Sequence, residues 1–149
     1  MRRYKTTINK INSISIVDTQ QAEKHVIYKV FTKYNKENNI SDEMEVYHRY
    51  NDFSEFNNKL VSLHKSNKLR SQLPIFPQSS LISLFKDVEG DRVNKLNQYL
   101  LSLVNTKEFM ENRDVLNIIK QFVMEGEVNY FIFLFFILFY FSIFIFLLF

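Results

Sequence analysis

The stretch EVYHRYNDFSEF, residues 45 to 56, sets an arginine beside a tyrosine at Arg49 and Tyr50, where the apolar rhythm changes. A guanidinium is planar, permanently charged and able to make two parallel charge-assisted hydrogen bonds to phosphate oxygens, each worth about 1.5–3 kcal/mol net. Lysine would supply only a point charge. A neighbouring phenol ring offers a flat apolar face and a polar tip. Such a pair suits the grip of an anionic ligand. The bland alternatives are an exposed strand-end arginine and a core tyrosine, and local context does not choose between them.

Elsewhere the residues able to do chemistry are sparse. The chain has no cysteine, which excludes disulfides, thiolate catalysis and zinc–cysteine sites. Gly90 and Gly126 are its two glycines, too few for a P-loop, a dinucleotide fingerprint or a nucleophile elbow. His25, His48 and His64 have no ligand spacing among themselves, so no metal site is expected. Asp87, Glu89 and Asp91 read as a solvated turn ahead of a helix rather than a catalytic acid pair. The chain is expected to be no enzyme and to need no cofactor.

The 149 residues leave room for one domain with a modest core. The formal charge of +3 is unevenly spread, because residues 125–149 hold two acids and no base. The first 124 residues are therefore more basic than the whole, which favours an anionic partner. Residues 130–149, YFIFLFFILFYFSIFIFLLF, carry no charge. A bilayer core needs roughly 20 apolar helical residues, and this run is that long. The expectation is a C-terminal hydrophobic helix over 125–149 acting as a transmembrane anchor. The competing reading is a mistranslated 3′ end, since nine of these residues are Phe and A/T-rich codons give such a composition. The basic start, MRRYKTTINK, lacks the apolar core of a secretory signal.

The elements around Arg49 follow from periodicity. INSISIVD (11–18), HVIYKVFTKY (25–34) and MEVYHRY (44–50) alternate as half-buried strands, and the polar run 35–43 reads as a loop. Short connections predict an antiparallel meander. After Asn51, taken as the helix cap, Phe53, Phe56, Leu60 and Leu63 recur at helical spacing. Helices are also expected over 91–104, with Val93, Leu96, Leu100 and Val104 inward, and over 113–124, with Val115, Ile118, Ile119 and Phe122 inward. LPIFP (73–77) should be extended.

HRYNDFSEFNNKL resembles the Arg-Tyr-x-Asp/Glu-Phe signature of the phox homology (PX) domain family, a phosphoinositide-binding module found in sorting nexins. LPIFP is similar to the family's proline-rich stretch and DRVNKLNQYLLSLV to its later Arg-x-x-x-Leu-x-x-x-Leu helix. The resemblance runs from about Ile8 to Phe122. It implies an α+β fold, a three-stranded antiparallel sheet packed against a three- to four-helix subdomain, over residues 1–124. It further implies that Arg49 grips the 3-phosphate of phosphatidylinositol 3-phosphate, that Tyr50 packs under the inositol ring, and that Arg92 bonds the 4- and 5-hydroxyls. Where the family places a lysine after the second proline, this chain has Ser79; Lys86 is the nearest base and is expected to assist. Leu81, Ile82, Leu84 and Phe85 are expected to form a membrane-insertion loop, with a short helix packed on the bundle as the alternative.

The implied role is a membrane-recruitment module on the cytosolic face of endosomal or other intracellular membranes, acting in trafficking or sorting. The rival role is a protein-interaction scaffold with a degenerate lipid site, reached through the Pro-x-x-Pro segment Pro74–Pro77. Nucleic acid is not an expected partner, because the basic residues are dispersed without any accompanying motif.

Overall fold

The computed structural model describes residues 7–78, 88–126, 139–143 and 145–146. Three strands, β1 (Ile8–Gln21), β2 (Val26–Lys36) and β3 (Ser41–Arg49), form one antiparallel sheet in the order β1-β2-β3. The meander is as expected, and β1 is longer than its alternation indicated. Its buried residues are Ile8, Ile11, Ile14 and Ile16, at spacings of three, three and two. Register shifts between Ile8 and Lys10 and between Ile11 and Ser13 account for this. A bulge inserts one residue, so positions three apart still face the same side.

β2 alternates cleanly, burying Tyr28, Val30, Thr32 and Tyr34. Its opposite face pairs Lys29 with Glu45 at 3.1 Å and Lys33 with Glu43 at 3.7 Å across the strands. Such exposed pairs contribute little stability, about 0–1 kcal/mol, but they favour this register. The loop expected over 35–43 contracts to residues 37–40, because Asn39 adopts φ 59° and turns the chain tightly.

Helix α1 (Tyr50–Ser66) starts at the strand's end, without an intervening loop. Asn51 is not its cap. Arg49 holds that position in extended geometry, φ −88° and ψ 166°, and the carboxylate of Asp52 reaches back to the Arg49 N–H. An acid three residues into a helix can satisfy the cap's own N–H in this way. Tyr50, read as the last strand residue, is instead the first helical one. Helix α2 (Val88–Asn105) and helix α4 (Arg113–Met124) match the expected spans closely. The five-residue α3 (Lys107–Glu111) between them was not foreseen. Asn112 caps α4, its side-chain oxygen accepting from the Asp114 and Val115 N–H groups at 3.0 and 3.1 Å.

The helices cover one face of the sheet. Phe53 meets Tyr28 edge-on at 5.6 Å and Phe122 at 5.1 Å, while Phe56 stacks on Phe122 at 4.3 Å. Leu96, Tyr99, Leu100, Leu103 and Phe109 complete the centre. Offset and edge-to-face rings add about 0.5–1.5 kcal/mol per pair beyond area burial, so this aromatic cluster helps to hold α1 on β2 and α4 on α1.

Candidate functional site

At the strand–helix handover the main chain of Arg49 still pairs with Ile27 of β2. Its N–H donates to Asp52 Oδ2 at 2.6 Å. The same carboxylate oxygen lies 3.7 Å from Nδ1 of His48, whose ring is 3% exposed. His48 Nε2 donates to the Phe122 carbonyl at 2.7 Å, and its ring stacks on Phe122 at 4.0 Å. That carbonyl belongs to the last turn of α4, where backbone acceptors lack helical partners. The backbone carrying Arg49 is thus tied to both α1 and α4.

Tyr50 is the hub. Its hydroxyl donates to the Pro77 carbonyl at 2.6 Å, and its ring lies 5.8 Å from that of Phe76. The guanidinium carbon of Arg92 sits 4.9 Å from the Tyr50 ring centre. Three segments far apart in sequence, 49–50, 76–77 and 92, therefore meet at one phenol ring. Asp91, next to Arg92 on α2, pairs with Lys95 at 2.7 Å. A cation held over a ring face gains about 0.5–2 kcal/mol, and this contact keeps Arg92 beside Arg49's strand end.

Two further devices hold these segments in place. Asn97, on α2, accepts from the Ile16 N–H at 2.7 Å and donates to the Ile16 carbonyl at 3.3 Å. One side-chain amide so completes both backbone groups of a β1 residue next to a bulge, and docks the helix that carries Arg92. On the proline side, Glu108 accepts from the N–H groups of Arg70 and Ser71 at 3.0 and 2.6 Å. These bonds, with one from the Ser71 side chain as the largest cause, lower the Glu108 pKa to about 2. His64 Nε2 donates to the Ser71 carbonyl at 2.7 Å. Phe76 then packs edge-on to Tyr99 at 5.3 Å. The Tyr99 hydroxyl donates to Asn57 at 2.9 Å, and burial pushes its phenol pKa upward.

Sequence reasoning missed Ile75. It is 93% exposed, although Phe76 beside it turns inward. The available signal was an apolar residue between two prolines, in a segment too short and too rigid to bury both of its large side chains. Ser79, the expected insertion residues Leu81, Ile82, Leu84 and Phe85, and Lys86 lie outside the described residues. Most of the expected C-terminal helix lies outside them too. Its described part, 139–143 and 145–146, is helical and exposes Phe139, Tyr140, Phe141 and Phe146. Among the described residues no helix is long and apolar enough to cross a membrane, so the transmembrane helix expected over 130–149 is not shown. Among them, too, no cluster of three metal-ligating side chains occurs.

A family model described as PX domain matches residues 36–123, from the end of β2 to the end of α4. Twenty-four chains of solved structures match as well. One, described as the X-ray structure of a designed CISK-PX domain, is 25% identical, covers 70% of this chain and 95% of its own, and superposes with a TM-score of 0.51. No curated protein matches. The chain belongs to the PX domain family, whose members are phosphoinositide-binding membrane-recruitment modules and generally not enzymes.

Proposed function

We propose that the lipid is phosphatidylinositol 3-phosphate and that Arg49, Tyr50 and Arg92 form its headgroup site. The observation that supports this most is the Arg92 guanidinium over the Tyr50 ring, whose hydroxyl holds Pro77. It joins the residues of all three sequence signatures around one aromatic face. Arg49 supplies the fork for the 3-phosphate, the ring orients the inositol, and Arg92 bonds hydroxyls. Lys86 adds charge from the loop that follows. Each base held near an anionic leaflet contributes about 1 kcal/mol, lost as salt rises.

Ile75, Leu81, Ile82, Leu84 and Phe85 are assigned to the acyl boundary, where burial gains about 25 cal/mol per Å². Residues 125–149 are read as a C-terminal membrane anchor, supported by the uncharged run 130–149 and by the exposed aromatics at 139–141 and 146. Anchoring makes headgroup capture effectively intramolecular, which tolerates a weak pocket with Ser79 in place of lysine. The proposed setting is the cytosolic face of endosomal membranes, in trafficking or sorting.

A test uses the full chain reconstituted with vesicles that contain phosphatidylinositol 3-phosphate or unphosphorylated phosphatidylinositol. Preference for the first, lost by at least tenfold in Arg49→Lys, supports the site. Equal retention on both vesicles overturns the specificity. The exposed Ile75 within Pro74–Pro77 also favours a second reading, a protein-interaction scaffold. That reading expects Ile75→Ser to lose protein partners while Arg49→Ala changes nothing.

A further inference from the structure

The His48–Asp52 contact lies behind the headgroup site, and the reading above makes no use of it. His48 Nε2 faces the Phe122 carbonyl at 2.7 Å. A carbonyl can only accept, so this nitrogen carries a proton in every charge state of the ring. Proton exchange is therefore confined to Nδ1, which faces Asp52 Oδ2 at 3.7 Å. In the neutral ring Nδ1 turns a lone pair toward a carboxylate. In the charged ring it turns an N–H toward the same oxygen. That oxygen also accepts the Arg49 N–H at 2.6 Å. A single carboxylate thus stands between the titrating nitrogen and the backbone of the phosphate-gripping residue.

Charged neighbours act on the ring. The ring lines a cavity of about 250 Å³. Lining it are Asp52, Glu55 and Lys59 from α1, Gln121 from α4 and Glu125 just past the end of α4. Among the described residues acids outnumber bases there, and the carbonyl end of the α4 dipole adds negative potential. Burial of the ring opposes this.

We propose that His48 couples headgroup binding to pH through Asp52, a claim that rests on Arg49 being the phosphate ligand. Protonation of Nδ1 places a positive charge one residue from Arg49 and gives Asp52 a second partner, which stiffens the strand–helix corner. A unit charge about 10 Å from a phosphate in solvent-rich surroundings changes binding by about two- to fivefold. Linkage then requires that headgroup binding make the ring harder to deprotonate.

The experiment measures retention of the full chain on vesicles with phosphatidylinositol 3-phosphate and on vesicles with phosphatidylserine at matched charge, at pH 6.0 and pH 7.5. The lipid phosphate's own titration affects every variant equally, so the quantity read is wild type relative to His48→Gln. Wild type is expected to gain about threefold more on acidification than His48→Gln. Selective binding with the same pH ratio in both proteins overturns the coupling and leaves the headgroup site standing. Loss of lipid selectivity in wild type overturns both. A readout that needs no lipid is the His48 ring titration by nuclear magnetic resonance in the full chain, with His25 and His64 as internal references. Asp52→Asn is expected to make His48 lose its proton at lower pH and leave the references unmoved; an unchanged His48 midpoint also overturns the proposal.

Discussion

The guanidinium of Arg92 lies over the ring of Tyr50, 4.9 Å from its centre. The pairing crosses from α2 to the first residue of α1, so it joins the two helices. Arg92→Ala should therefore separate binding from stability. Losing a cation–π contact costs about 0.5–1 kcal/mol at a half-exposed position. Losing a charged donor to the headgroup costs about 1.5–3 kcal/mol, tenfold or more in affinity. Thermal melts alongside vesicle titration give the two numbers, and an affinity change no larger than the stability change would remove Arg92 from the site.

Tyr50→Phe isolates the hydroxyl from the ring. The Pro77 carbonyl loses its donor, at a cost of about 0.5–1.5 kcal/mol. The ring face under Arg92 is kept. Amide exchange should quicken in residues 71–78, and headgroup affinity should fall less than in Tyr50→Ala. Equal exchange in wild type and Tyr50→Phe would mean that Phe76 alone fastens the proline segment.

The sheet, its order and the two long helices were legible because alternation and helical spacing hold over runs such as Tyr28–Tyr34 and Phe53–Leu60. β1 was legible only in part. Its bulges convert a period of two into three between Ile8 and Ile14, which a single sequence cannot distinguish from helical spacing. α3 is five residues long, too short to show a period at all. Of the proposed site, Arg49, Tyr50 and Arg92 stand out in the sequence as residue types in the order of a known signature. The roles of His48, Asp52, Asn97 and Glu108 do not. Each acts on a backbone group 3 to 81 residues away, and nothing in local composition encodes such a bond.

Glu108 predicts an acid-side dependence. Its folded pKa is about 2, well below the ordinary carboxylate value of 4.5. A depressed carboxylate contributes stability that is fully present above the unfolded pKa and is lost as pH falls toward the folded one. The window is thus from about pH 4.5 down to pH 2. Glu108→Gln should be less stable than wild type at pH 7, with the gap closing across that window as both forms become neutral. Melting temperatures taken at half-unit steps from pH 2 to pH 7 check this. A gap independent of pH would assign the effect to hydrogen-bond geometry and not to charge.

Asn97 gives the strongest test of how the scaffold serves the site, because two substitutions divide its role. Asn97→Ala leaves both the N–H and the carbonyl of Ile16 without their side-chain partner at a part-buried position. The expected loss is about 1–3 kcal/mol. Asn97→Asp can still accept from the Ile16 N–H, but it places an anion against the Ile16 carbonyl and offers that oxygen no donor. If the amide merely stabilises the fold, the two variants should lose headgroup affinity only as far as they unfold. If it sets the position of α2, and with it Arg92 over Tyr50, both should bind more weakly even at temperatures where each is fully folded. The Arg92 contact supports the second outcome, since α2 reaches Tyr50 through a residue little more than one turn before the clamp. A folded, tight-binding Asn97→Ala would show that the ring contact alone is enough to place Arg92.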